Sequence, residues 1–144
     1  MVLNIHKPVK KCHLEGLMMN TKFSQGLKTT FLLHFIVALL FGLGFLLIPS
    51  TVGSWYGMNI LEPVTYRLLG AAMLGFAASS WMAYSANNWE AVRIVVIMEI
   101  VWTILGTLVV LYGIFFASYP ALYWINAILL AAFAAAFAWF YFRK

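Results

Sequence analysis

Charge is what this sequence has least of. Of 144 residues only 9% are charged, as nine Lys or Arg, four Glu and no Asp. A soluble domain carries about a quarter charged residues, and these thirteen side chains cannot coat one of this size. A water-soluble enzyme, a nucleic-acid-binding module and a disordered tail are thereby excluded. The single cysteine, Cys12, allows neither an internal disulfide nor a cysteine-based metal site. Gly-rich phosphate loops, a Ser-His-Asp set and an HExxH helix are all absent.

Apolar length is what the sequence has instead: 65% of residues are hydrophobic, 17% aromatic, and the mean hydropathy is +0.94. A membrane helix needs ~20 mostly apolar residues to cross ~30 Å of hydrocarbon. Four stretches meet that need, at about 27–48, 63–84, 90–116 and 120–142. The connections between them are short, roughly 3–14 residues, and leave no room for a soluble domain. The expected fold is therefore all-α, a polytopic four-transmembrane-helix bundle over 27–144 with a polar N-terminal cytoplasmic extension at 1–26. A β-barrel would alternate polar and apolar residues over ~10-residue segments, whereas runs such as ILLAAFAAAFAWFYF are apolar all round. The first span exceeds a signal-peptide core and no A-x-A site follows it, so it reads as an anchor.

The basic residues define an orientation. Lys7, Lys10, Lys11 and Lys22 precede the first span, Lys28 lies at its start, and Arg143 and Lys144 follow the last. Arg93 sits near the second connection, while the first connection holds Glu62 and the third no charge. Positive residues favour the cytoplasmic side, so both termini are expected in the cytoplasm of a multi-pass cell-membrane protein. Aromatic residues prefer headgroup depth. Trp55, Tyr56, Tyr66, Tyr119, Tyr123 and Trp124 would mark the outer interface, and Trp81, Tyr84, Trp89, Trp139 and Tyr141 the inner one. They read as interface anchors rather than as a ligand-binding cage. Within the extension, the Met18-Met19 pair suggests a translation start there, and His6, Cys12 and His13 lack metal-ligand spacing. No metal and no cofactor is expected.

Helices in lipid associate through small residues and a few polar contacts. The second span offers Gly70 and a stripe of Ala71, Gly75 and Ser79; the fourth offers Ala127, Ala131 and Ala135, and the first Ala38 and Gly42. These are the expected packing faces. Gly70 or Gly75 could alternatively admit a lipid tail or a partner helix. A faint echo links Gly42…Pro49 to Gly113…Pro120, each followed by an aromatic pair, as if the first hairpin were a distant copy of the second.

Ionisable groups inside a span are functional candidates by default. Three occur, His34, Arg67 and Glu99, with Asn126 as a further polar candidate. At ~1.5 Å per residue, His34 lies roughly 10 Å and Glu99 roughly 13 Å from the inner boundary, and Arg67 about 6 Å below the outer one, level with Asn126. His34 and Glu99 could therefore meet across helices, and Arg67 could snorkel outward or reach Asn126, whereas an Arg67–Glu99 bridge is disfavoured by depth. Glu99 could serve proton or cation coupling, or it could be a protonated carboxyl bonded to Ser79, Ser80 or His34 that fixes helix register. A haem between two histidines would need a second intramembrane His, and a dimetal site several more Glu and His.

The strings FGLGFLLIPSTVGSWYGM and YRLLGAAMLGFAASSWMAY carry a resemblance. Gly42, Gly44, Pro49, Tyr56, Gly57, Arg67, Leu68, Leu69, Gly70, Ala71, Leu74 and Gly75 match the pattern of a widespread group of small prokaryotic four-helix membrane proteins of unknown function. The match covers about 27–144. It implies fold and location but no activity, and it draws attention to Arg67 and Gly70. The expected role is a non-catalytic accessory or interaction subunit, with the lipid bilayer and a membrane-protein partner or a second copy as its contacts. The rival is a small transporter or channel-like homo-oligomer using Glu99 and Arg67. A membrane enzyme acting on lipid or quinone has the least support.

Overall fold

A computed structural model describes residues 24–143. Most of the N-terminal extension, including Met18, Met19 and the His6, Cys12, His13 set, lies outside the described residues. Among those residues the chain is all helical, in the order α1 (Gln25–Leu47), α2 (Pro49–Trp55), α3 (Pro63–Ser85), α4 (Trp89–Phe116) and α5 (Tyr123–Phe142). Four of the five are long and apolar enough to cross a membrane. Their outward faces carry exposed Leu40, Leu47, Leu68, Val109, Phe116 and Ile128, a surface suited to lipid rather than water.

Local chemistry fixes the ends. The Ser24 side chain accepts from the Leu27 N–H at the start of α1, and the Asn88 side chain accepts from the Ala91 N–H at the start of α4. Each satisfies one of the orphan donors of a first turn. Pro49 and Pro63 occupy the first turns of α2 and α3, where a missing N–H costs nothing. The first connection contains α2: Pro49 follows the end of α1 and at once opens a second, short helix. That helix closes at Gly57, whose φ of +66° suits glycine. The fourth span begins later than expected, at Tyr123 rather than residue 120, because Pro120 stands in an irregular turn.

The four long helices alternate in direction, so both described termini lie at one end, here the terminal end, and the α2 and α4–α5 connections lie at the other, the loop end. They associate as two pairs. α1 packs closely along α3, and α4 along α5, while contacts between the pairs are sparse. The crossing of α1 and α3 is set by glycine. A Cβ on Gly70 would stand 2.6 Å from the Leu46 nitrogen and 2.7 Å from the Gly42 carbonyl oxygen. Only hydrogen fits between those two backbones.

The remaining packing stripe requires correction. Ala71 and Gly75 face away from the rest of the chain, with nothing within 4 Å of a Cβ placed on Gly75, and Ser79 is half-buried. The face of α3 that is used carries Gly70, Ala77, Ser80 and Ala83. On α5, Ala127 is buried but Ala131 and Ala135 are exposed, and Phe133 and Phe137 fill the inward positions instead. A spacing of four recurs on several faces of one helix, and α3 and α5 are each apolar nearly all round, so periodicity alone did not choose among them. At the terminal end, Leu27, Phe31, Ala83, Val92, Val96, Phe133 and Phe137 form the main core. A smaller cluster of Phe45, Val52 and Tyr56 sits at the loop end.

Candidate functional site

Between the two helix pairs lies a cavity of about 420 Å³. Its walls near mid-span are His34, Phe76, Trp102 and Phe133, and its loop-end walls are Met58, Tyr66, Tyr119, Tyr123 and Asn126. The size falls in the range of ordinary small-molecule sites. The cavity exists because two tight helix pairs meet loosely, and large aromatic side chains at the junction hold them apart. Phe76 of α3 and Trp102 of α4 stack across that junction with centroids 4.8 Å apart.

Just beyond the mid-span wall three polar side chains from three helices close a ring. His34 of α1, Ser80 of α3 and Glu99 of α4 are all buried. The Ser80 hydroxyl donates to Glu99 Oε1 over 3.1 Å, and Ser80 Oγ lies 2.9 Å from His34 Nδ1. With the Ser80 proton directed at Glu99, His34 Nδ1 is the donor to Ser80; with a carboxyl proton directed at Ser80, the hydroxyl donates to Nδ1 instead. His34 Nε2 and Glu99 Oε2 then face each other at 3.3 Å. One proton, on either atom, makes this set electrically neutral. The approach is oblique, and among the described residues Glu99 Oε2 is the buried side-chain polar atom without a hydrogen bond. Phe133 and Phe137 meet the imidazole edge-on, with centroids 5.0 and 5.8 Å away, and hold its plane. Below Glu99 on α4, Thr103 donates back to the Glu99 carbonyl over 2.6 Å and Thr107 to the Thr103 carbonyl over 2.7 Å, so these hydroxyls are satisfied within their own helix.

The loop-end wall has a different character. Tyr56 donates to Asn126 Oδ1 over 3.0 Å. Burial pushes the Tyr56 phenol up, against a smaller opposing effect of the Asn126 hydrogen bond, and so it remains a donor at neutral pH. Tyr66 and Tyr123 both direct their hydroxyls at one sulfur, Met58 Sδ, over 3.8 and 3.0 Å. A thioether is a weak acceptor.

The four polar candidates therefore fall into three places. His34 and Glu99 are side by side, with Ser80 rather than Ser79 as the third member, since Ser79 donates to the Phe76 carbonyl in its own helix. Asn126 lines the cavity and is bonded to Tyr56, not to Arg67. Arg67 is exposed on α3, and among the described residues no hydrogen bond or ion pair holds it. Tyr56, Tyr66 and Tyr123, expected as interface anchors, turn inward: the first is buried and the other two line the cavity. Met58, Trp102 and the cavity itself had no signal in apolar spacing. The one available hint was that Tyr123 and Asn126, three residues apart on a helix, share a face. Among the described residues no group of three metal-ligating side chains occurs. No family model, no curated protein and no solved structure matches the chain.

Proposed function

We propose that this chain is a four-helix protein of the cell membrane, both termini cytoplasmic, that binds a small apolar molecule between its helix pairs and has no catalytic chemistry of its own. The observation that carries the reading is the cavity of about 420 Å³ where the pairs meet, largely apolar with polar side chains at its loop end. Sites of this kind commonly lie between the helices of bundles. The orientation rests on Lys28, Arg93 and Arg143 at the terminal end, together with the lysines before α1. The resemblance of Arg67, Leu68, Leu69, Gly70 and Ala71 to the pattern of small prokaryotic four-helix membrane proteins supports the same fold and location.

Ala38 is buried on α1 and lines the cavity, so an added side chain there fills the space from a wall that faces no lipid. Protein purified in nanodiscs is expected to carry a stoichiometric small molecule detectable by native mass spectrometry, and Ala38→Leu to lose it while remaining monodisperse. Equal occupancy in both proteins, or none in either, would refute the cavity as a binding site.

One observation favours a second reading, the accessory subunit. Ala71 and Gly75 present an open small-residue surface, which is how membrane helices receive a neighbour. Gly75→Leu should then release a co-purifying subunit without altering the occupancy of the cavity. The transporter reading has less support, because Glu99 is enclosed with His34 and Ser80 while Arg67 is exposed on another helix and shares no site with it.

A further inference from the structure

We infer that the cavity selects a neutral lipophile bearing a carbonyl oxygen, held with that oxygen at the loop end and its apolar body toward Phe76 and Trp102. The inference rests on the cavity reading above and adds the chemistry of the occupant.

Neutrality follows from the walls. No Lys, Arg, Asp or Glu lines the cavity, and the one ionisable imidazole, His34, has its ring nitrogens turned to Ser80 and Glu99. A charged ligand would enter an apolar enclosure with no counter-charge, at high cost. Phe76 and Trp102 stack on each other, parallel to within 22° with centroids 4.8 Å apart, and so close the mid-span end as one aromatic wall against which an apolar body packs.

The carbonyl follows from an imbalance of donors over acceptors at the loop end. Tyr56 occupies Asn126 Oδ1, which leaves the Asn126 amide hydrogens as the open valence of a residue on the cavity wall. Tyr66 and Tyr123 compete for the single weak acceptor Met58 Sδ. Three donor groups thus converge where the protein supplies one sulfur. An oxygen with two lone pairs placed there satisfies the amide and one phenol, and a carbonyl is a far better acceptor than a thioether. The phenol oxygens can themselves accept, so a hydroxyl ligand could also bind here, but only a strong acceptor takes both the Asn126 amide and a phenol that otherwise meets sulfur. The polar end lies at the loop end of the helices, so an amphipathic molecule sits with its oxygen there and its apolar body toward Phe76 and Trp102.

The test uses the full chain in nanodiscs and three probes of nearly one shape: 9-fluorenone, fluorene and fluorene-9-carboxylate, with binding to empty nanodiscs subtracted. The expected order is fluorenone first, by at least threefold over fluorene, with the carboxylate weakest. Tyr123→Phe, which keeps the ring and removes one donor, should shrink the fluorenone preference, and Asn126→Leu should abolish it, so that fluorenone and fluorene bind that variant equally. Equal binding of fluorenone and fluorene to the wild type would overturn the carbonyl assignment and leave the cavity reading standing. Tightest binding of the carboxylate would overturn neutrality. Binding of none of the three would overturn both readings.

Discussion

The two ends of this molecule solve the same problem in opposite ways. Each must place polar side chains inside a membrane-spanning assembly. At the terminal end, His34, Ser80 and Glu99 direct their polar atoms at one another, and Phe31, Phe133 and Phe137 belong to the core beside them. At the loop end, Tyr66, Tyr123 and Asn126 stand around a cavity with more donors than the protein can use. A polar group that closes on its own chain contributes to register. One that is left with an open valence beside a void offers specificity to something that enters. Burial alone did not distinguish the two cases; the hydrogen-bond accounting did.

The sharpest way to break that contrast is at Glu99. Glu99→Leu leaves His34 Nε2 and the Ser80 hydroxyl facing a methyl group, and the loss of a buried partner of this kind should cost ~3 kcal/mol in detergent unfolding. Glu99→Gln tells whether the set is a neutral one. Its amide oxygen accepts from Ser80 and its NH₂ donates to His34 Nε2, so the cost should stay below ~1 kcal/mol. A cost equal to that of Glu99→Leu would mean that the negative charge, not the shape of the ring, holds the helices together.

The next effect separates the used face of α3 from the unused one. Gly70→Ala drives a Cβ into the α1 backbone and should destabilise by about 1–3 kcal/mol, whereas Gly75→Ala, with no neighbour, should change stability by less than ~0.5 kcal/mol. Thermal unfolding of both variants in the same detergent checks this. Comparable losses at the two positions would mean that Gly75 is also covered, by a second copy of the chain.

At the loop end the expected stability effects are smaller. Asn126→Leu strips one hydrogen bond from the Tyr56 phenol and should cost about 1 kcal/mol, so its larger consequence ought to appear in ligand binding. The smallest change expected is a gain. Ser118 holds a φ of 55° just past the end of α4, a left-handed conformation that a side chain disfavours, and Tyr119 there donates its N–H to the Gly113 carbonyl. Ser118→Gly should stabilise by about 1 kcal/mol, read as a small rise in midpoint. A loss would show that the Ser118 hydroxyl contributes more than its backbone costs.

Apolar length alone determined that four segments could span a membrane, because a lipid-facing helix must be apolar over its whole length whatever it packs against. The helix ends were legible for a similar local reason: Pro63 and Asn88 act within one turn of themselves. The meeting of His34 and Glu99 could be anticipated from depth, since rise per residue places both near the same level. Which face of α3 packs, that Pro49 opens a helix as well as ending one, that Ser80 completes the ring, and that three tyrosines turn inward were decided only in the tertiary structure. In helices apolar all round no stripe of residues is marked out as inward, and rotation is settled by backbone approach, as at Gly42 and Gly70. The cavity belongs to the same class of outcome, because a void is a property of how two helix pairs fit together and of no single segment.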